Sequence, residues 1–128
     1  MLKRFAIALA GFVVLDGIWL GVLMKGFYRG QLAAIARMKD GGFAPIWAAV
    51  APVYVLLAIG VVVFVVPRAA DVWSAAKYAA LFGLVVYGVY DLTNYSTLTQ
   101  YPLSITVVDI CWGTFATAAC AAAVKALA

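Results

Sequence analysis

Apolar residues run almost unbroken through four stretches of this chain, from about Phe5 to Met24, Pro45 to Val66, Ser74 to Tyr95 and Ser104 to Val124. Each comes near the ~20 residues that an α-helix needs to cross a hydrocarbon layer roughly 30 Å thick. Polar or breaking residues fall at their ends: Lys3 and Arg4 introduce the first and Lys25 closes it, Pro67 and Arg68 end the second, Pro102 introduces the fourth and Lys125 follows it. The alternation that a barrel strand needs is absent, and a spanning segment must satisfy its backbone polar groups internally, so the pattern predicts helices. The expected fold is all-α, an integral membrane four-helix bundle occupying residues 1–128 as a single transmembrane domain. Pro52 lies in the first half of the second stretch, where its missing backbone donor predicts a kink. The basic start before an apolar run has the look of a secretory signal. Asp16 and Trp19 interrupt that run and no small-residue cleavage site follows it, so it reads as an uncleaved first span.

The segment from Lys25 to Gly42 is too long for a tight turn and too polar to cross. Phe27, Tyr28, Leu32, Ile35 and Met38 recur at roughly helical spacing beside Arg29, Arg37 and Lys39, as in a helix lying in the interface. An interfacial helix or loop between helices 1 and 2 is therefore expected, capping one end of the bundle.

Composition agrees with this layout: 68% of the 128 residues are apolar and 11% are charged, far more apolar surface than a soluble core of this length can use. Positive charges divide almost evenly between the two sides. Lys3, Arg4, Arg68, Lys77 and Lys125 stand on one, and Lys25, Arg29, Arg37 and Lys39 on the other. The positive-inside rule then leans toward cytoplasmic termini. The net charge of +4 suits anionic lipid head groups and gives no reason to expect nucleic acid.

Against this background, Asp16, Asp91 and Asp109 are costly, since even a lenient insertion scale charges an aspartate near the centre of a span about 3 kcal/mol. At about 1.5 Å of rise per residue, Asp16 lies roughly 18 Å from Arg4, Asp91 roughly 21 Å from Lys77 and Asp109 roughly 24 Å from Lys125. Those three basic residues share one side of the membrane, so three helices deliver a carboxyl to one layer, in the half nearer the Lys25 to Gly42 segment. The carboxyls must point inward. Residues three and four apart share a helix face, so Trp19 accompanies Asp16, Trp112, Thr106 and Gly113 accompany Asp109, and Tyr87, Asn94 and Tyr95 accompany Asp91.

Two carboxyls within about 4 to 6 Å cannot both stay charged in a low-dielectric interior, so at least one is expected to hold a proton near neutral pH. The layer then suits a polar pocket that takes a ligand's hydroxyl, amine or cation, or passes protons. In that reading Asp16 and Asp109 share a proton, Asp91 and Asn94 orient the ligand's polar end, and Trp19, Trp112, Tyr87 and Tyr95 line its apolar body. The plainer alternative is that indole, phenol and threonine hydrogens satisfy the carboxyls and glue the helices together.

Other chemistry largely drops out. The chain has no histidine and no glutamate, and neither a hydrolase elbow nor a phosphate loop. Oxygens of Asp16, Asp91, Asn94 and Asp109 could hold Mg²⁺ or Ca²⁺, but no cation loop accompanies them, and neither metal nor cofactor is expected. Cys111 and Cys120 lie nine residues apart on one helix, on opposite faces, and cannot bridge each other; both read as small buried residues. Ala75, Ala79 and Gly83, Gly17 with Gly21, and the alanines of the fourth stretch offer small faces for close packing within the bundle or in a homo-oligomer.

The blocks "DGIWLG", "YRG", "YDLTNYSTL" and "VDICWG" together resemble those of domain of unknown function 2177, a bacterial family of small four-span membrane proteins. The likeness covers nearly the whole chain, and Tyr101 stands where that family leads one to expect tryptophan. The resemblance implies fold and location and brings no activity with it. It further implies a setting near enzymes that modify acyl chains, and hence a lipid or other apolar ligand. The resulting expectation is a small membrane protein that contacts membrane lipids and binds, or moves with proton coupling, a small or lipid-like ligand. A lipid-modifying enzyme using aspartate acid–base pairs and a structural subunit of an envelope complex are the alternatives.

Overall fold

A computed structural model describes all residues from Met1 to Ala128. Helix α1 spans Leu2–Ile18 and continues as a wide π turn over Trp19–Leu23, closed by a bond from the Met24 N–H to the Trp19 carbonyl. Helix α2 (Lys25–Leu32) follows, then a short antiparallel hairpin of β1 (Met38–Lys39) and β2 (Gly42–Phe43). Helix α3 (Trp47–Gly60) passes into a second π turn, Val61–Val65, and a 3₁₀ turn ending at Arg68. Helices α4 (Val72–Thr97) and α5 (Leu103–Leu127) complete the chain. Four helical segments, Leu2–Leu23, Trp47–Arg68, Val72–Thr97 and Leu103–Leu127, are long and apolar enough to cross a membrane.

The hairpin answers to the Asp40-Gly41 pair, both with positive φ (53° and 78°), as a two-residue turn of the primed type requires. It refines the expected interfacial segment, which is helical only as far as Leu32. Helix α4 starts at a reciprocal cap: the Ser74 N–H donates to the Asp71 carboxylate at 2.7 Å and the Asp71 N–H donates to the Ser74 hydroxyl at 3.0 Å.

The core lies toward the Arg68 end. Ala8 and Phe12 of α1, Val61, Val62, Val65 and Val66, Ala75 and Ala79 of α4, and Ala121 and Val124 of α5 are buried together. Small residues let α4 and α5 approach closely, since a β-carbon added at Gly83 would stand 2.7 Å from the Gly113 carbonyl oxygen. The outer faces are apolar, with Leu56, Phe64, Leu81, Val89 and Phe115 all exposed, as lipid contact demands. Exposed Trp47 and Trp73 open α3 and α4 at opposite ends, where amphipathic rings sit at head-group level. Lys77 lies over the Trp73 ring, 5.9 Å from its centre.

Two local expectations are corrected. Gly17 and Gly21 make no close helix contact within the bundle, because they face a cavity. Cys111 is exposed on the outside of α5 and only Cys120 is buried, as their opposite helix faces require.

Candidate functional site

Below the Lys25 to Phe43 cap the helices diverge. Near the Arg68 end α3 meets α4 tightly, with Phe82 against Gly60, but Pro52 removes the bond that its position would give to the Ala48 carbonyl in the other half of α3. The divergence leaves a partly open cavity of about 850 Å³, walled by α1, α3 and α5 with Tyr90 of α4, and bordered by Leu32, Arg37 and Phe43 of the cap. Most of its wall is apolar; its floor carries Asp16, Asp109 and the hydroxyls of Tyr28, Tyr54 and Tyr101.

The buried Asp16 accepts two bonds from other helices: the Tyr54 hydroxyl donates to Oδ2 at 2.7 Å and the Trp112 indole to Oδ1 at 2.8 Å. Trp112 stacks flat on Trp19, with centroids 4.4 Å apart and planes within 2°. The Trp19 indole donates to the Tyr28 hydroxyl at 3.0 Å, and Tyr28 donates in turn to Asp109 Oδ1 at 2.8 Å. Beyond Asp109 stands Asp91, fully buried, with Tyr101 donating to its Oδ1 at 2.5 Å. Its other oxygen, Oδ2, is buried with no donor, and the neighbouring group that faces it is the Asp109 carboxyl. Outside the spans, burial and then the adjacent carboxyls raise the phenols of Tyr28 and Tyr101, so both stay protonated and act as donors.

One connected polar layer therefore takes a carboxyl from each of α1, α4 and α5. It divides in two: Asp16 is held by its own pair of donors, while Asp91 and Asp109 face each other. Asp109 thus neighbours both other acids, Asp16 and Asp91. No group of three acidic or thiol side chains closes on a point where a metal ion would sit.

Asn94 stands beside the hydroxyls of Tyr90 and Tyr101. Tyr87 packs its ring on Gly113, with its hydroxyl toward Asp16 and Asp109. Tyr95 is 43% exposed and outside the layer, a correction that follows from its place one turn beyond Asp91, close to the end of α4 at Thr97. Thr106 also stays out of the layer, because its hydroxyl donates back to the Pro102 carbonyl at 2.9 Å.

Three participants were not legible as such. Tyr54 carries the one hydroxyl between Ile46 and Pro67, and that isolation was its signal. Tyr28 reads in sequence as one apolar position of the interfacial segment, and Tyr101 as an aromatic beside Pro102; only the fold turns their hydroxyls onto carboxyls.

A family model described as a predicted membrane protein, DUF2177, matches residues 1–126. The chain belongs to this family. No curated protein and no solved structure matches it. As a DUF2177 membrane protein it presents its exposed apolar belt to lipid, and the polar layer then lies inside the bundle, away from acyl chains.

Proposed function

We propose that the protein is a single membrane domain of the bacterial inner membrane, with cytoplasmic termini, whose acidic and aromatic pocket binds a small or lipid-like ligand or moves it with proton coupling. The observation that carries this reading is the cavity of about 850 Å³ whose floor bears Asp16 and Asp109. It falls within the ~300–1,000 Å³ common for small-molecule sites, and its few convergent polar groups in a mostly apolar wall are what orient such ligands. Asp109 and Asp16 hold the polar end, with Asp91 and Asn94 behind them. Trp19, Trp112 and Tyr87 brace the floor and Tyr95 takes no part. Where the acids served only as glue, closing the helices over them would satisfy the same bonds without leaving such a space.

The test is mass spectrometry of molecules that copurify with the folded protein. A specific species enriched with the wild type and lost from an Asp109→Asn variant that is still extracted intact supports the pocket. A variant that fails to assemble while wild-type preparations carry no enriched species supports the structural alternative.

A further inference from the structure

The hydrogen-bond inventory of the pocket floor points to the class of ligand. Tyr28, Tyr54, Tyr101, Trp19 and Trp112 have one side-chain hydrogen each, and every one is already donated within the layer. What the floor offers an occupant is acceptors: the second oxygen of Asp109 and the lone pairs of the phenols. None of the groups acting on Asp16 or Asp91 is a lysine or arginine, so the acids have no internal counter-ion. The remaining side-chain donors of the wall, Arg37, Trp47 and Tyr90, are all exposed. An anionic or acceptor-only group at the floor would meet two carboxyls, with the Tyr90 hydroxyl as the one neighbouring phenol of the wall left to donate to it.

We infer that the occupant is a membrane-soluble ammonium, an amine with an apolar tail, seated at Asp109 in exchange for one proton held between Asp109 and Asp91. This rests on the pocket reading above and names its substrate class. The orphaned Oδ2 of Asp91, on a residue with no exposure, supplies the proton's place, since a hydrogen carried between the two carboxyls gives that oxygen its missing bond. On entry of R–NH₃⁺ one O–H bond of the pair breaks, the ammonium replaces the proton as partner of Asp109, and H⁺ leaves through the cavity toward the cap. Charge is conserved: one cation enters and one proton departs. The titratable groups facing Asp109 are Asp16 of α1, Tyr28 of α2, Tyr54 of α3, Tyr87, Tyr90 and Asp91 of α4, and none is basic.

The experiment titrates dodecylamine, dodecanol and dodecanoate into the protein in phosphatidylcholine nanodiscs, against empty nanodiscs, by calorimetry in two buffers of different ionisation enthalpy. Dodecylamine is expected to bind saturably and at least about tenfold more tightly than the alcohol, releasing about one proton. Because one proton leaves for each amine bound, mass action makes affinity fall by up to about tenfold for each unit drop in pH over the range where that release is measured. Asp109→Asn should lose amine binding, and any binding kept by Asp91→Asn should release no proton. Dodecanol or dodecanoate binding as tightly as the amine would overturn the ligand class and leave the pocket standing. Amine binding to the wild type without proton release would overturn the exchange. Saturable binding of none of the three would overturn this inference and the pocket reading together.

Discussion

The two halves of the bundle are held together by different physics. Toward Arg68, alanine, glycine and valine bring α1, α3, α4 and α5 into direct contact, and the interior is filled without a single carboxyl. Toward the cap α1, α3 and α5 part around a cavity, and bonds from phenols and indoles to aspartates link them beside a small apolar cluster of Tyr28, Tyr101 and Ile105. In lipid there is no hydrophobic force between helices, so close packing is the cheaper adhesive, and the first half shows that this chain has the residues to use it. The proposed pocket gives the acids of the second half a use other than cohesion.

The contrast can be broken most severely at the packed end. Gly83→Ala should destabilise the fold by about 1–3 kcal/mol, because the new methyl meets the Gly113 backbone and Thr117, which cannot step aside. Denaturant titration in detergent or bicelles measures it. At the polar end, Tyr54→Phe removes one donor from Asp16 and leaves the Trp112 bond, so a smaller loss is expected, about 0.6 kcal/mol and no more than about 1.7. A loss from Tyr54→Phe that exceeded that from Gly83→Ala would mean that the polar layer is the main adhesive after all.

A smaller effect belongs to the exposed cap of α4. Donation from the Ser74 backbone holds the Asp71 carboxyl below its ordinary 3.8. The folded pKa is the lower one, so the cap's contribution is complete above the ordinary value and is lost as pH falls through the depressed one. Melting curves of wild type and Asp71→Ala should differ near neutral pH and converge in acid. Smallest of all is Gly17→Ala, where nothing lies within 4 Å of the added carbon, and a change inside about ±0.5 kcal/mol is expected in the same titration. A large loss there would show that the cavity wall is closed in the membrane.

Much of this division was legible in the chain. Four long apolar runs fix four helices, and counting rise per residue from Arg4, Lys77 and Lys125 puts Asp16, Asp91 and Asp109 at one height, because both depend on a single regular helix parameter. Pairing within the layer was not legible. Which carboxyl faces which depends on helix rotation, and the π turn at Trp19–Leu23 shifts phase in a way that no spacing rule anticipates. Tyr95 shares a face with Asp91 by the four-residue rule yet stands exposed, one turn nearer the end of α4. Tyr28, Tyr54 and Tyr101 reach the layer through contacts between elements distant in sequence, 81 residues apart for Tyr28 and Asp109. The hairpin was written locally, in Asp40-Gly41, within a segment whose helical periodicity gives way after Leu32.

The claim beneath all of this is that acids of separate helices meet inside the bundle. The chain's five acidic residues are all aspartates, so solid-state NMR of protein carrying ¹³C-labelled aspartate in lipid bilayers resolves few carboxyl signals. A carboxyl–carboxyl correlation between Asp91 and Asp109, absent in Asp109→Asn and not shared by Asp40 or Asp71, is the predicted result. Carboxyls that are all isolated from one another, or an Asp91 signal with the solvent exchange of the exposed Asp71, would contradict it.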